Sequence, residues 1–239
     1  MDWFQGWFGP LYDELYTHRS LQEADAQVEG LMKHIGIPSG RVLDAGCGNG
    51  RHLKALRSRG LFAVGLDLSA HLLEQASAKA PGFALRCDLR RCPFRDGSFS
   101  LVASFFTGFG YFDTPQEDEA LFAEFVRLTA PGGFLHLDLP DAGHVERTLV
   151  PSDERTLGRR RVVQTRWIEE GRVLKRIDVF EDGRKTGEHW ERVRLWSRQA
   201  IEAVARRAGL EPVACLGDSV GGRWEPGAAR MGMIWRKPL

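Results

Sequence analysis

The stretch from Arg41 to His52 constrains the fold of this chain more than any other part of the sequence. It reads RVLDAGCGNGRH, so an apolar run reaches Asp44 and glycine then stands at every second position from 46 to 50. Leucines at helical spacing come next, which predicts a strand, a tight turn and a helix. Glycine adopts the unusual dihedral angles of such a turn, and it lets a ligand approach the backbone because no Cβ intervenes. We therefore expect a ligand against bare main chain near the helix N-terminus.

The spacing of these glycines distinguishes two classes of ligand. A dinucleotide fingerprint is G-x-G-x-x-G, with the pyrophosphate on the helix N-terminus. Counted from Gly46, the sixth position is Arg51, so the third glycine of that fingerprint is missing. The chain has D-x-G-x-G-x-G instead, which resembles the first motif of the class I S-adenosylmethionine-dependent methyltransferases. The resemblance implies that the methionine part of this cofactor lies on Asp44, Gly46, Cys47, Gly48 and Asn49. A glycine-rich turn without a ligand is the alternative.

Two acidic residues follow the next predicted strands. The apolar run 61–66 stops at Asp67, about 20 residues beyond the turn, which suits a carboxylate that accepts both hydroxyls of a ribose. Leu68 lies beside it in the same predicted loop. Residues 83–87 form a third short strand before Asp88 and Leu89, and the resemblance implies that Asp88 binds the adenine amine while Leu89 lies beneath the ring. Taken alone, each aspartate is equally an ordinary helix-start or turn residue.

An aromatic loop follows the fourth predicted strand, 99–104. Five of the eight residues from Phe105 to Phe112 are aromatic, and Gly108 and Gly110 among them indicate a loop rather than a helix. Ligands of open α/β sheets bind at this end of the strands, so Ser104 and Phe105 are further candidate cofactor residues. Ring faces here would stabilise a sulfonium or an alkylammonium by about 0.5 to 2 kcal/mol each, although aromatic stripes also pack in cores. The loop lacks the Asp or Asn and two prolines typical of superfamily members that methylate nucleobase or glutamine amides.

The remaining chain completes one α/β domain with an insertion. A capping box from Thr114 to Glu117 predicts a helix ended by the Pro-Gly-Gly at 131–133, and a fifth strand covers 134–139. Ser197 caps a last helix before strands 211–216 and 231–235. Between 151 and 196, apolar runs broken by two hairpin signals predict three antiparallel strands. The predicted fold is Rossmann-like: a seven-stranded, mostly parallel sheet with helices on both faces, formed by 41–150 and 197–239, with a small antiparallel sheet inserted at 151–196.

The N-terminal region, 1–40, is predicted to form an aromatic arm and a helix. Six large aromatic residues stand within the first sixteen, a density that a free tail in water would not carry. We interpret the arm as a lid that folds over the cofactor pocket, and packing on the outside of the sheet is the alternative. Apolar residues at helical spacing from Ser20 onward, ended by Gly36, predict the helix that leads into the first strand.

Composition excludes several function classes. Lys and Arg number 33 against 32 Asp and Glu, so no overall positive field favours nucleic acid or an anionic membrane. The chain has no apolar run of membrane-spanning length, and its N-terminus lacks signal-peptide features, so we expect a cytoplasmic protein. The four cysteines are scattered and the seven histidines, His18 among them, are not paired at ligand-like spacing, so no metal site is predicted.

The resemblance implies methyl transfer to a nucleophile. The aromatic arm, the aromatic loop and the inserted sheet together resemble the small-molecule branch of the superfamily, including amine methylases, so an N- or O-nucleophile of a small molecule is the expected acceptor. The candidate general bases or acceptor-orienting groups are Tyr16, Tyr111, His136 and His144. An RNA-directed enzyme using the arginine run at 159–161 and a silent cofactor-binding module are the alternatives. A monomer and a homodimer are both compatible with the sequence.

Overall fold

The computed structural model describes residues 2–17, 19–218 and 220–239, which form two β sheets surrounded by helices. The main sheet contains β1 Arg41–Ala45, β2 Phe62–Asp67, β3 Ala84–Arg86, β4 Phe99–Ser104, β5 Thr129–Pro140, β10 Glu211–Leu216 and β11 Arg230–Arg236. The second sheet contains β6 Ser152–Leu157, β7 Arg160–Glu169, β8 Arg172–Glu181 and β9 Arg184–Arg194. The helices are α1 Trp3–Trp7, α2 Pro10–Leu15, α3 Leu21–Ile35, α4 Arg51–Ser58, α5 Ala70–Lys79, α6 Pro115–Leu128, α7 Ala142–Thr148 and α8 Arg198–Arg207, with a 3-10 turn at Leu89–Arg91.

The main sheet confirms the predicted fold class. Its strand order is β10-β11-β5-β4-β1-β2-β3, with β1 to β5 parallel to one another and β11 antiparallel to both β5 and β10. From β1 the chain proceeds outward through β2 and β3, then returns to place β4 on the other side of β1. Such a reversal leaves a crevice at the carboxyl ends of the two central strands, because their connections leave in opposite directions. The glycine turn lies at this point.

Helices cover both faces of the main sheet and their starts follow the predicted caps. On one face α6 and α8 contribute Phe122, Phe125 and Ile201, each at most 1% exposed, to the larger core. On the other face α3 and α4 bury Leu31 and Leu56 completely. The side chains predicted as caps, Thr114 and Ser197, accept hydrogen bonds from the first turns of their helices, and Ser20 and Ser69 do the same. Local sequence therefore sets where these helices begin.

The Pro-Gly-Gly segment is one departure from the prediction. Helix α6 already ends at Leu128, and residues 131–133 lie inside β5 rather than before it. Gly132 has a φ of +74°, and the pairing of β4 with β5 shifts register between Phe99 and Leu101. The segment is thus an irregular part of the strand, because glycine and proline distort a strand without ending its pairing.

The insertion departs from the prediction in two respects. It has four strands, and the missed one, β6, reads SDERTL, whose polar and mostly exposed residues carry no apolar alternation. A charged run such as 159–161 is usually expected at an exposed sheet edge, but Arg160 and Arg161 begin β7, an inner strand of the second sheet. Each instead forms an ion pair: Arg159 with Asp182, Arg160 with Glu14, and Arg161 with Glu154.

The arm packs against the insertion and not against the outside of the main sheet. Trp7 and Leu15 are each 2% exposed and contact Val162, Ile177 and Val179 on one face of the second sheet. The predicted lid began at Met1 and ended at His18, and these two residues lie outside the described part of the chain. Among the described residues, none of the helices is long and apolar enough to cross a membrane.

Candidate functional site

One pocket lies at the carboxyl ends of β1 to β4, where the strand order reverses. It contains most of the residues predicted to bind the cofactor, brought from three separate turns: Gly46, Cys47, Gly48 and Asn49 after β1; Asp67 and Leu68 after β2; Asp88 and Leu89 after β3. Phe105 after β4, and Tyr16 and Tyr111 from the predicted catalytic set, line the same pocket. Residues more than 90 positions apart thus meet in one site.

The glycine turn presents bare backbone to the pocket. Gly46 and Gly48 have φ angles of +79° and +53°, which residues with a Cβ rarely adopt. A Cβ built on either residue would meet protein atoms no closer than 3.8 Å, an ordinary van der Waals contact, so crowding by the protein does not require glycine at either position. Gly50 differs, because a Cβ there would lie 2.8 Å from the Cα of Ala76. The first two glycines fit a ligand cradle, while Gly50 allows α4 to pack on α5.

Asp67 connects the turn to the end of β2. Its Oδ2 accepts a hydrogen bond of 2.8 Å from the backbone N–H of Gly48, and its Oδ1 accepts one of 2.8 Å from Ser69. Burial raises the pKa of this carboxyl group, and the backbone donors oppose the rise. A carboxylate has about four acceptor sites, so two backbone donors leave capacity for two hydroxyl groups of a ribose.

The carboxylate of Asp88, predicted to bind the adenine amine, already has a partner in the protein. Its carboxylate forms a two-point ion pair with Arg90, with an Nη2–Oδ2 distance of 2.6 Å. Hydrogen bonds from Arg90 lower the pKa of Asp88, so the carboxylate stays charged. An adenine amine would have to share this acceptor with the guanidinium.

Two predicted cofactor residues, Asp44 and Ser104, lie behind the pocket wall. Asp44 is 1% exposed and Ser104 is fully buried, and neither lines the pocket. Among the described residues, no group makes a hydrogen bond to the Ser104 hydroxyl. Burial, with a further contribution from Asp67, raises the pKa of Asp44 to about 7. Direct contact of these side chains with a ligand is not supported.

The arm forms the outer wall of the pocket. Phe4, Phe8, Tyr12 and Tyr16 line it from this side. The ring of Tyr111, in the aromatic loop, lies 6.1 Å from the rings of Phe4 and Phe8, both roughly stacked on it. The Ser69 hydroxyl donates to the carbonyl oxygen of Phe8 at 2.6 Å and so attaches the arm to α5. The arm and the aromatic loop, far apart in sequence, therefore close one space.

The start of the aromatic loop is held in a strained conformation. Phe106 and Thr107 have φ angles of +56° and +70°, the left-handed region that costs about 1 to 3 kcal/mol for residues other than glycine. Asp138 offsets this strain, because its Oδ2 accepts from the Phe106 backbone at 2.9 Å and its carbonyl oxygen from Thr107 at 3.1 Å. Arg230 stabilises the same segment, because its Nε atom donates to Oδ1 of Asp138 at 2.7 Å and its Nη2 atom donates to the Thr107 hydroxyl at 3.0 Å.

Arg19 is a pocket residue that sequence reasoning missed. Its guanidinium lies 4.1 Å from the ring centre of Phe106 and 4.3 Å from that of Tyr16, and it donates to the Tyr12 hydroxyl. Among the described residues, no carboxylate pairs with it, and its Nε atom is buried without a hydrogen-bond partner. A neighbouring pocket arginine, Arg51, is instead paired with Glu23 at 3.2 Å. The only sequence signal is an arginine between aromatic residues and the Ser20 helix cap.

The predicted catalytic residues separate into two groups. Tyr16 and Tyr111 line the pocket, and burial raises the pKa of both phenols, with Glu191 adding to the rise at Tyr16. Both are therefore neutral near pH 7, which suits orienting groups rather than bases. His136 is buried with Nδ1 3.1 Å from the Met233 carbonyl oxygen, and His144 lies near the Gly227 carbonyl oxygen at 3.1 Å. Neither histidine lines the pocket, so the structure does not bring them to the site.

Comparison with known proteins also indicates a methyltransferase. Residues 42–133 match the model of a methyltransferase domain family. Over 62% of its length the chain is 31% identical to a dTDP-3-amino-3,4,6-trideoxy-alpha-D-glucopyranose N,N-dimethyltransferase of Streptomyces venezuelae, and the match covers 66% of that protein. It is 30% identical, over 59% of its length, to a putative 23S rRNA (guanine-N(1)-)-methyltransferase of Bacillus subtilis, of which it covers 44%. The chain thus spans less than two thirds of these curated relatives.

A solved structure shows that the likeness extends over the whole fold. The S-adenosylmethionine-dependent methyltransferase from Clostridium acetobutylicum superposes with a TM-score of 0.79, covering 96% of this chain and 97% of that one at 16% identity. The glycine cradle, the carboxylate after β2 and the family match occupy the same part of the chain. Residues 42–133 therefore form a methyltransferase domain, and the whole chain has the fold of a known S-adenosylmethionine-dependent methyltransferase.

Proposed function

We propose that this chain transfers a methyl group from S-adenosylmethionine to a small molecule, with an amine nitrogen as the acceptor to test first. The observation that carries the proposal is the aromatic pocket, which Tyr12, Tyr16 and Tyr111 line together with the glycine cradle. An acceptor must fit between these rings and the loop at Phe105 and Phe106. The curated relative from Streptomyces venezuelae, named for an amino-sugar substrate, supports the amine class.

Several residues of the chain are suited to hold the parts of the cofactor. The backbone at Gly46 and Gly48 would carry the methionine portion, and the guanidinium of Arg19, whose Nε has no hydrogen-bond partner among the described residues, would bind its carboxylate, a charge-assisted contact. Asp67 would accept the ribose hydroxyls, and Asp88 with Leu89 would contact the adenine. Asp44 would not touch the cofactor, because it is a buried carboxyl group behind the glycine turn.

Gly46, Gly48, Asp67 and Arg19 would hold the cofactor, which would supply a methyl group on a positively charged sulfur, with the neutral thioether as the leaving group. The chain's own task is alignment, which contributes about 7 to 11 kcal/mol in favourable cases. Tyr16 and Tyr111, as neutral phenols, would orient the acceptor rather than remove its proton. An amine that reaches the site in its neutral form already has a free lone pair and needs no base.

An RNA acceptor is the second candidate, since one curated relative is named as a putative rRNA methyltransferase. The arginines at 159–161 argue against it, because each is already paired with a carboxylate of this chain. A catalytically silent cofactor-binding module is a third candidate. The cytoplasmic location and the choice between monomer and homodimer stay predictions from the sequence.

One experiment separates these candidates. The protein is incubated with S-adenosylmethionine carrying a labelled methyl group and, in parallel, with a fractionated small-metabolite extract, total RNA or buffer. The small-molecule proposal expects label in a low-mass, amine-containing product. Label in RNA that declines steeply with salt would support the RNA candidate instead. Cofactor binding without label in any pool would support the silent module.

A further inference from the structure

A buried ion pair on the insertion has no part in the chemistry described above. Lys175 on β8 and Glu191 on β9 are direct cross-strand partners, with Nζ 3.5 Å from Oε2. Lys175 is only 5% exposed. Burial lowers the pKa of Lys175, and Glu191 opposes that shift. A buried pair of charges is costly unless further hydrogen bonds satisfy it, so its other partners matter.

Those further partners come from the arm. The Oε1 atom of Glu191 accepts a hydrogen bond from the Trp7 indole N–H at 2.8 Å and another from the Tyr16 hydroxyl at 2.7 Å. The ammonium of Lys175 donates to the same Tyr16 hydroxyl at 2.7 Å. Trp7 is the last residue of α1, and Tyr16 directly follows α2. The pair therefore contacts the C-terminal end of each arm helix.

We propose that Lys175 and Glu191 are positioning residues that hold the aromatic arm over the pocket, so that the inserted sheet governs how the site closes. The inference rests on the proposed function, which gives the arm a ligand to cover. Tyr16 carries the coupling, because its ring lines the pocket while its hydroxyl bonds to both members of the pair.

The apolar contacts of the arm fix its position less sharply than its hydrogen bonds to Glu191 and Lys175 do. Trp7 and Leu15 are buried against Val162 and Ile177, but apolar burial is non-directional and tolerates sliding. Hydrogen bonds to a charged group have a defined geometry and are about twice as strong as neutral ones. Without the pair, we expect the arm to sample open positions while the sheet beneath it stays folded.

The test is limited proteolysis of the arm in the full chain. Chymotrypsin cuts after aromatic residues, and cleavage within 2–17 is followed by mass spectrometry for the parent protein and for Glu191→Gln. The matched control is Glu188→Gln, which removes an exposed carboxylate on the same strand, where it pairs with Lys185. We expect arm cleavage to be about tenfold faster or more in Glu191→Gln, and the control to match the parent protein.

A second variant guards against a general folding defect. Trp7→Phe keeps a ring in the apolar cluster and leaves the ion pair intact, but removes the indole N–H that Glu191 accepts. It should also speed arm cleavage, and adding it to Glu191→Gln should have less than the additive effect, because one change removes the hydrogen bond that the other weakens by neutralising its acceptor. The proposal would be overturned if the two substitutions had fully additive effects on arm cleavage, or if cleavage within 151–196 accelerated as much as cleavage within the arm.

Cofactor linkage supplies a readout that a purely structural ion pair would not affect. In Glu191→Gln, the dissociation constant of S-adenosylhomocysteine should rise by the factor by which the arm opens, and saturating ligand should restore arm protection. An unchanged dissociation constant alongside faster cleavage would overturn the coupling. If S-adenosylhomocysteine binds neither protein, the proposed function fails, while the cleavage rates without ligand still decide whether the pair holds the arm.

Discussion

The backbone N–H of Gly48 donates a hydrogen bond of 2.8 Å to the Oδ2 atom of Asp67. This bond joins the turn after β1 to the carboxylate that ends β2, 19 residues later in the chain. The glycine cradle and the ribose candidate are therefore one unit, and each positions the other. A substitution at either residue acts on both parts of the pocket.

The first prediction concerns cofactor class. The protein should bind S-adenosylmethionine and S-adenosylhomocysteine and not NAD, because the dinucleotide fingerprint lacks its third glycine at Arg51. Gly48→Val should abolish this binding while the fold survives, since the Cβ meets no clash with the protein but the branched side chain would occupy the space we assign to the ligand. Calorimetry with the three ligands is the measurement. Tighter binding of NAD would refute the assignment.

The second prediction concerns the ribose. Asp67→Ala should weaken S-adenosylhomocysteine binding about 10- to 100-fold, because hydrogen bonds to a charged group are lost. Since Asp67 also accepts from Gly48 and Ser69, part of this loss comes from the loosened turn. A 2′-deoxy analogue separates the two causes: its penalty should be large in the parent protein and small in the variant. Equal penalties in both proteins would contradict a diol contact.

The third prediction concerns Arg19. Arg19→Met should weaken S-adenosylhomocysteine binding by about 10- to 100-fold, because the carboxylate of the ligand loses a charge-assisted partner. The control ligand is 5′-methylthioadenosine, which has the same nucleoside but no carboxylate. Its affinity should change little. If both ligands lose the same factor, Arg19 acts on the arm through Tyr12 and not on the carboxylate.

The fourth prediction treats the arm as a lid. Excess S-adenosylhomocysteine should slow chymotrypsin cleavage near Tyr12 and Tyr16, because the ligand occupies the space that these residues line. Deleting residues 1–18 should weaken cofactor binding and methyl transfer. The structure adds a cost: the deletion bares Val162 and Ile177 on the insertion, so the truncated protein should also aggregate more readily. Cleavage rates that ignore the ligand, with full turnover after truncation, would rule out a lid.

The fifth prediction concerns pH and Asp44. Burial raises the pKa of this carboxyl group to about 7, against about 3.9 in an unfolded chain. Between these values only the folded state holds the proton, so the free energy of unfolding should fall with rising pH by up to about 1.4 kcal/mol per unit. Asp44→Asn should remove this contribution. Urea unfolding at pH 5, 6 and 7 measures the slope, and an identical slope in both proteins would contradict the raised pKa.

Local sequence alone determined much of this molecule. The glycine turn, the helix caps at Ser69, Thr114 and Ser197, and the strands 99–104 and 211–216 were all predictable, because each depends on a short pattern of dihedral preference, capping or hydrophobic periodicity. The sequence also predicted that Asp67 and Asp88 lie close to the glycine turn, since each ends a parallel strand and such strands end at the same edge of a sheet. The strand β6 did not follow, because its polar residues show no periodicity and its stability comes from pairing with β7.

Only the tertiary structure decided which residues meet. Trp7 and Glu191 are 184 positions apart, and nothing near either residue indicates their hydrogen bond. The same holds for Arg19, whose guanidinium lies over the ring of Phe106, and for His144, which the fold places away from the pocket. Sequence patterns report local preferences along the chain, whereas a binding site depends on distances across the chain, and those exist only after the sheets have packed.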